Sequence, residues 1–148
     1  MNPQTLDHAG IAARVPHSGS MCLLDTLRAW SPDAITCTAT SHTDADNPLR
    51  TAGGLLAPNA IEYAAQAMAL HGSLCAAPGS APTPGFLASV RGVTLHVPRL
   101  DNVAGPLTVA AHKLSGDTRQ ALYGFTLHSA AGALLVDGRA TVILNALP

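Results

Sequence analysis

The chain has 148 residues, of which 47% are hydrophobic and 11% charged, and its net charge is −1. This length fits one domain and needs no disulfide or metal to bury a core, so we expect a single domain over residues 1–148. Because roughly a quarter of residues are usually charged, the low charge predicts that part of the surface is hidden in an oligomer interface.

The same composition excludes several classes of function. The eight basic residues are scattered, and only 3% of residues are aromatic, which argues against nucleic-acid binding. No apolar run approaches the ~20 residues of a membrane span, and residues 1–10 lack a signal-peptide pattern. Cys22, Cys37 and Cys75 share no metal-ligand spacing. We therefore expect a cytoplasmic protein with reduced thiols, no metal site and no cofactor.

The first part of the chain predicts a short helix and a β-hairpin. Residues 6–14 favour a helix that ends near Pro16. Residues 21–30 and 34–41 predict two strands, and the second alternates apolar residues with threonines, as a half-buried strand does. A long loop over residues 42–57 follows.

The strongest helical pattern covers residues 59–71. Asn59 suits the N-cap, Glu62 stands three residues later at the spacing of a capping box, and Gly72 is expected to end the helix. Most of the other residues are Ala, Leu or Met, so the helix is apolar almost all round. Such a helix is usually buried on most sides.

The remainder reads as an Ala/Pro/Gly/Ser-rich connector and then β-structure, with a bulge expected near Asp137-Gly138. The four predicted strands cover residues 86–99, 107–114, 121–129 and 133–144. The order of elements favours an α+β domain in which an antiparallel sheet wraps around one long central helix. An exposed edge of that sheet would be protected by dimerisation.

Three segments carry a resemblance that spans residues 11–145. They are Pro16-His17 followed by Met21–Asp25, the helical segment Ile61–Ala69 with its acid and a Gln four residues later, and Leu135–Ala140. Together they resemble the hot-dog β-hydroxyacyl-(acyl carrier protein) dehydratases. Ser41-His42 and Asn47–Arg50 are similar, more narrowly, to a divergent branch from aryl-polyene lipid biosynthesis clusters.

The resemblance implies a hot-dog fold and the dehydration of a 3-hydroxyacyl thioester to the trans-2-enoyl thioester, in fatty acid or aryl-polyene lipid synthesis. Acyl carrier protein or coenzyme A would carry the substrate. The chemistry needs a base at C2 and an acid at the leaving hydroxyl. The family takes a His from one protomer and the helix acid from the other, so a homodimer, or a heterodimer with another hot-dog protein, is expected.

Glu62 matches the family's helix acid, although a glutamate there can also serve only as a helix cap. The family's catalytic His lies about fourteen residues before the acid, where this chain has Pro48. His17, in the Pro-His turn, and His42, after the second strand, are the candidate substitutes. Each could instead be a purely structural or surface histidine.

Further residues are expected to contact or orient the substrate. Asn47 could orient a water or the hydroxyl, and Gln66 could orient Glu62. Small and apolar side chains should line an acyl tunnel, and the candidates are Met21, Leu55, Leu56, Phe86 and Leu87. Two alternatives remain open: a hot-dog acyl thioesterase in which Glu62 activates water, and a non-catalytic partner subunit of a hot-dog heterodimer, which the vacant His position favours.

Overall fold

The computed structural model describes residues 3–16, 19–76, 86–117 and 119–143. In chain order its elements are α1 (His8–Ala12), β1 (Thr26–Ser31), β2 (Ala34–Ala39), α2 (Ala60–Cys75), β3 (Phe86–Leu95), β4 (Leu107–Gly116), β5 (Gln120–His128) and β6 (Leu134–Ile143). Every strand pair is antiparallel, and the six strands lie in the order β1-β2-β4-β5-β6-β3. Short 3-10 turns cover Gly19–Met21, Ser41–Thr43 and Ala57–Asn59. The predicted α+β class is confirmed.

Helix α2 packs on one face of the sheet, where alternate residues of the central strands are buried. On β5 these are Ala121, Tyr123, Phe125 and Leu127. Each fully buried large apolar side chain contributes about 1.5–3 kcal/mol relative to exposure, so this layer is the main source of stability. Because β3 and β1 are the outermost strands, the sheet has two edges.

A buried histidine ties the far end of α2 to the sheet. His71 Nε2 lies 2.8 Å from the carbonyl oxygen of Ser31, and Nδ1 lies 2.7 Å from the Tyr123 hydroxyl. A carbonyl only accepts, so Nε2 carries the proton and Tyr123 donates to Nδ1. Burial lowers the pKa of His71, which keeps the ring neutral.

Helix α2 differs from its prediction at both ends. Asn59 makes no side-chain cap hydrogen bond; its amide donates instead to the carbonyl of Leu56, within the 3-10 turn that leads into the helix, so the reciprocal capping box does not form. At the other end the helix continues past Gly72 to Cys75. Leu74 is buried, and this packing outweighs the roughly 1 kcal/mol helix cost of one glycine.

The first predicted strand is also shorter than expected. Residues 21–25 run outside the regular strands, and β1 begins only at Thr26. Side chains of other elements, rather than a continuous ladder, hold this apolar segment in place, as described below. Sequence alternation cannot distinguish these two kinds of support.

The sheet is irregular on both sides of the predicted position. On β6, Leu135 is an extra residue, because Val136 pairs with Leu127 and Leu134 with His128. On β3, a bulge lies opposite Gly138. Arg91 pairs with Arg139 and Thr94 with Asp137, so Gly92 and Val93 together oppose Gly138. Gly92 adopts a positive φ of 58°, which suits a bulge, and a Cβ on Gly138 would stand 2.9 Å from Val93 and from Phe125. The bulge predicted near Asp137-Gly138 is therefore present at Leu135 on β6, and a second bulge lies opposite Gly138 on β3.

Candidate active site

Glu62, the only glutamate of the chain, lies half-buried in the first turn of α2. Gln66, one turn later, is fully buried, and its Nε2 donates to Glu62 Oε1 at 3.4 Å and to the Met21 carbonyl at 2.6 Å. Its Oε1 accepts the backbone N–H of Leu23 at 2.8 Å. One amide thus joins the candidate acid to the segment that begins at Met21. The structure thus brings Gln66 and Glu62 together, and an acid-orienting role for Gln66 stays a prediction.

A second contact holds the same segment from the opposite side. The Ser41 hydroxyl donates to the Leu23 carbonyl at 2.8 Å and lies 2.8 Å from the Tyr63 hydroxyl. Because the Ser41 proton is already used, Tyr63 donates to Ser41, and burial raises the pKa of Tyr63. Ser41 and Tyr63 were not among the predicted site residues. Their contacts depend on residues far apart in sequence, which periodicity does not report.

Asn47 closes this network. Its Nδ2 donates to the Ser41 carbonyl at 2.9 Å and to the Tyr63 hydroxyl at 3.1 Å, and its Oδ1 accepts Leu49 N–H at 2.9 Å. The residue is 5% exposed. Its amide is therefore occupied in fixing the start of the loop before α2, and contact with a substrate stays a prediction.

Asp101 fixes the other end of that loop. Its side chain is 3% exposed and accepts Leu55 N–H at 2.9 Å and Arg99 Nε at 2.9 Å, while Arg50 Nη2 lies 3.5 Å away. The Arg99 guanidinium holds the pKa of Asp101 far below its usual range. Gly54, at φ 96°, admits the carboxylate, because a Cβ there would stand 2.5 Å from Asp101 Oδ1. Sequence analysis missed this contact, for which the Arg99-x-Asp101 pair was the only local signal.

The two candidate catalytic histidines have different outcomes. His17 lies outside the described residues. His42 is 1% exposed, and its Nε2 bonds the Val103 carbonyl at 3.0 Å, while Nδ1 is buried without a hydrogen-bond partner. Burial lowers the pKa of His42. This hydrogen bond connects His42 to the loop that follows β3, and a catalytic role for His42 stays a prediction.

The five residues predicted to line a tunnel have three different environments. Leu55 is fully buried in the core, and Leu56, beside it, is 44% exposed. Met21 is half-buried at the Gln66 contact. Phe86 and Leu87 are 57% and 41% exposed on the edge strand β3. Their exposures therefore differ, and their role in lining a tunnel stays a prediction.

Two kinds of feature do not occur among the described residues. No group of three or more His, Cys, Asp or Glu side chains there is placed to hold a metal ion. Across the same ranges, no helix has both the length and the apolar character to cross a membrane. The candidate site consists of the Glu62 carboxyl group in the first turn of α2 and the buried Gln66 amide that contacts it.

Solved structures share this fold. One chain of the dehydratase heterocomplex ApeI:P from Xenorhabdus doucetiae superposes with a TM-score of 0.81 at 24% identity, covering 90% of each chain. A thioesterase from Haemophilus influenzae gives 0.68 at 17% identity, covering 97% of this chain and 93% of its own. A mutant thioesterase from Pseudomonas aeruginosa gives 0.64 at 18% identity, covering 97% and 96%. These likenesses confirm the hot-dog fold.

The similar structures include a dehydratase complex and thioesterases, and a comparison with family models distinguishes between these two classes. No curated protein matches the sequence. Residues 9–146 match the family model of ApeP-like proteins, described as ApeP dehydratases. The match covers nearly the whole chain and includes the Glu62 helix, and it confirms the resemblance drawn from the sequence. The chain belongs to the ApeP-like dehydratase family.

Proposed function

We propose that the chain is a subunit of a hot-dog dimer that dehydrates a 3-hydroxyacyl thioester to the trans-2-enoyl thioester in aryl-polyene or fatty acid synthesis. Acyl carrier protein is the proposed carrier, with coenzyme A as the alternative. The observation that carries the proposal is the placement of Glu62 in the first turn of α2, held by Gln66, in a chain of the ApeP-like dehydratase family.

In the proposed reaction Glu62 acts as the acid. The C2–H bond breaks, its electron pair forms the C2–C3 double bond, and the C3–O bond breaks as the carboxyl group of Glu62 protonates the departing hydroxyl to give water. The N–H groups that lead into α2 already have partners, because Ala57 donates to the Pro98 carbonyl, Asn59 to that of Leu56 and Ala60 to that of Ala57. The donor for the thioester oxygen, as it gains negative charge, is therefore assigned to another part of the dimer.

The base that takes the C2 proton is assigned to a histidine of the dimer, with His17 as this chain's candidate. His17 precedes the Met21 segment by a few residues, and that segment is bonded to Gln66 and through it to Glu62. His42 is a weaker candidate, because its ring is buried against the Val103 carbonyl. The position that holds the family's His is Pro48 in this chain, so the base has to come from a different position.

The dimer is proposed to form along β3. This strand lies at the end of the sheet, and three of its large apolar side chains, Phe86, Leu87 and Leu95, are 57%, 41% and 45% exposed. A long apolar edge strand is an aggregation hazard unless another strand or element covers it. Pairing there would also supply the second side of a tunnel for which this chain provides only part of the lining.

The test uses the purified chain and a 3-hydroxyacyl N-acetylcysteamine thioester, with absorbance of the conjugated enoyl product as one readout and release of free thiol as the other. We expect enoyl product from the wild type and none from Glu62→Gln. Asp46→Asn, which alters an exposed carboxylate in the preceding loop, is the matched control and should keep its activity. Circular dichroism checks that all variants fold.

Two results would contradict the proposal. Unchanged enoyl formation in Glu62→Gln would remove the acid from the mechanism. Release of thiol without enoyl product would assign the chain to the thioesterases, whose structures share its fold.

A second candidate is a non-catalytic subunit that pairs with an active hot-dog protein. It is favoured by Pro48 at the position of the family's His and by the buried contact of His42 with Val103. One of the similar solved structures is a dehydratase heterocomplex. If so, the chain alone gives neither enoyl product nor free thiol. Adding it to an active hot-dog dehydratase then raises the turnover of that enzyme, and the Glu62→Gln variant does so equally well.

A further inference from the structure

Two arginines lie side by side on the outer face of the sheet, the face opposite α2. Arg91 of β3 pairs directly with Arg139 of β6, and both are exposed. The neighbours of Arg139 in the direction of Ile143 confirm the orientation, because Ala140 and Val142 are buried on the α2 side. Cross-strand partners stand about 4.5–5.5 Å apart at Cβ, so the two guanidinium groups share one small area.

The two guanidinium groups have no direct ion-pair partner among the described residues. Asp137, two residues before Arg139 on the same face of β6, is bonded to His96 at 2.9 Å, and Asp117 accepts the backbone N–H groups of the turn before β5. Like charges placed directly across a strand pair destabilise a sheet, so the pair is costly unless an anion binds.

A groove at the same place supplies further donors. Its volume is about 290 Å³, and both arginines line it. The remaining polar side chains on its walls are those of Ser89, Ser115, Gln120 and Thr141. The strand register places these side chains together. Ser89 pairs with Thr141, and each lies two residues from an arginine of the Arg91–Arg139 pair, on the same face of the sheet. Hydroxyl and amide donors surround a centre of two positive charges.

We propose that this groove binds a phosphate group as its dianion. Arginine binds phosphate through two parallel N–H···O bonds, and two arginines match a charge of −2 better than the single charge of a carboxylate. A tetrahedral phosphate also has enough oxygen lone pairs for the hydroxyl and amide donors at the rim. The site is separated from Glu62 by the sheet, so it is independent of the proposed reaction.

The test measures the thermal midpoint Tm of the purified chain with added inorganic phosphate, against chloride at the same ionic strength. A ligand that binds only the folded state raises Tm. We expect a rise with phosphate for the wild type and for Arg28→Gln, whose exposed arginine lies on β1. Arg91→Gln and Arg139→Gln should show no rise. In phosphate-free buffer these two variants should melt at or above the wild-type Tm, because the repulsion is removed.

Calorimetry distinguishes the two sources of the phosphate group. If phenyl phosphate binds about tenfold more tightly than inorganic phosphate, a gain of ~1.4 kcal/mol, the ligand is an organic phosphate monoester whose remainder contacts the groove. Equal affinities would assign the site to free phosphate.

Three outcomes would overturn the site: no phosphate-dependent rise in the wild type, an equal rise in the two groove variants, or variants that lose only association with a protein partner. The last would identify the arginines as part of a protein interface. None of these readouts uses turnover, so failure of the site and failure of the proposed reaction are separate results.

Discussion

At the scale of single residues, the candidate site depends on buried polar side chains that bond the backbone. Gln66 satisfies the Met21 carbonyl and the Leu23 N–H and reaches Glu62 with the same amide. At the other end of the loop, the Asp101 carboxylate accepts the backbone N–H of Leu55. A buried polar group left without a partner costs about 1–3 kcal/mol, so each of these residues is both a structural and a positional requirement.

Replacing Gln66 by Leu should lower the free energy of unfolding by about 1–3 kcal/mol, because the Leu23 N–H and the Met21 carbonyl lose their partner. Urea denaturation measures the change. Gln4→Leu, at an exposed position, is the control and should stay within about 0.5 kcal/mol of the wild type. Equal stability of the two variants would contradict a structural role for the buried amide.

Two adjacent glycines give a matched test of the Asp101 contact. Gly54 has φ 96° and no room for a Cβ beside Asp101, whereas the nearest atom to a Cβ on Gly53 is 3.9 Å away. Gly54→Ala should destabilise the protein by at least about 1–2 kcal/mol, the usual cost of a left-handed conformation for a residue with a Cβ. Gly53→Ala should be close to neutral. Thermal unfolding of both variants decides between them.

At the scale of elements, α2 is held at both ends by residues that the sheet and loops supply. Tyr63 meets Ser41 and Asn47 near its start, and His71 meets Ser31 and Tyr123 near its end. A helix this apolar could otherwise rotate among similar packings. The polar contacts at its ends specify one orientation, and this fixes the direction in which Glu62 projects.

The buried histidines should make stability depend on pH. Burial lowers the folded-state pKa of His42 and His71, so between that value and the unfolded value of about 6.5 the unfolded chain binds more protons. The free energy of unfolding should therefore fall as the pH drops below about 6.5. Denaturant titrations at a series of pH values measure this slope.

His71→Gln should reduce that slope, since one of the two buried rings is gone. Tyr123→Phe is the control: it removes the hydroxyl bonded to His71 but keeps the ring buried, so it should lower stability without removing the slope. A wild-type stability that stays constant between neutral and mildly acidic pH would show that these rings are not held neutral by burial.

At the scale of the whole molecule, the sheet has one face covered by a helix and an edge strand, β3, that exposes apolar side chains. The covering helix is α2, and the exposed side chains of β3 lie at the end of the sheet. Low overall charge had already predicted a covered surface. We expect a second subunit to cover this surface at the edge strand β3.

Leu87→Glu should therefore convert a dimer to a monomer, because a buried unpaired charge in an interface is strongly unfavourable. Leu114→Glu is the control, since Leu114 is similarly exposed, at 45% against 41% for Leu87, but lies on β4 in the interior of the strand order. Sedimentation velocity reports the masses. A wild-type monomer, or the same mass for both variants, would contradict dimerisation along β3.

The sequence alone determined the class of the fold and the main candidate acid. Strand alternation and an apolar helix are local patterns, and they placed β2, α2 and the four later strands within a few residues. The motif around Glu62 and Gln66 also lies within one helix, so the family could be recognised from it. These features are legible because the residues that define them are close together in the chain.

Only the tertiary structure decided which polar side chains support the site. Gln66 and Leu23 are 43 residues apart in sequence, and Asp101 and Leu55 are 46 apart, so no local pattern predicts either contact. The bulge on β3 depends on packing between Val93, Phe125 and Gly138, and α2 runs past Gly72 because Leu74 is buried. In each case the free energy comes from long-range burial and hydrogen bonding, which a linear sequence does not display.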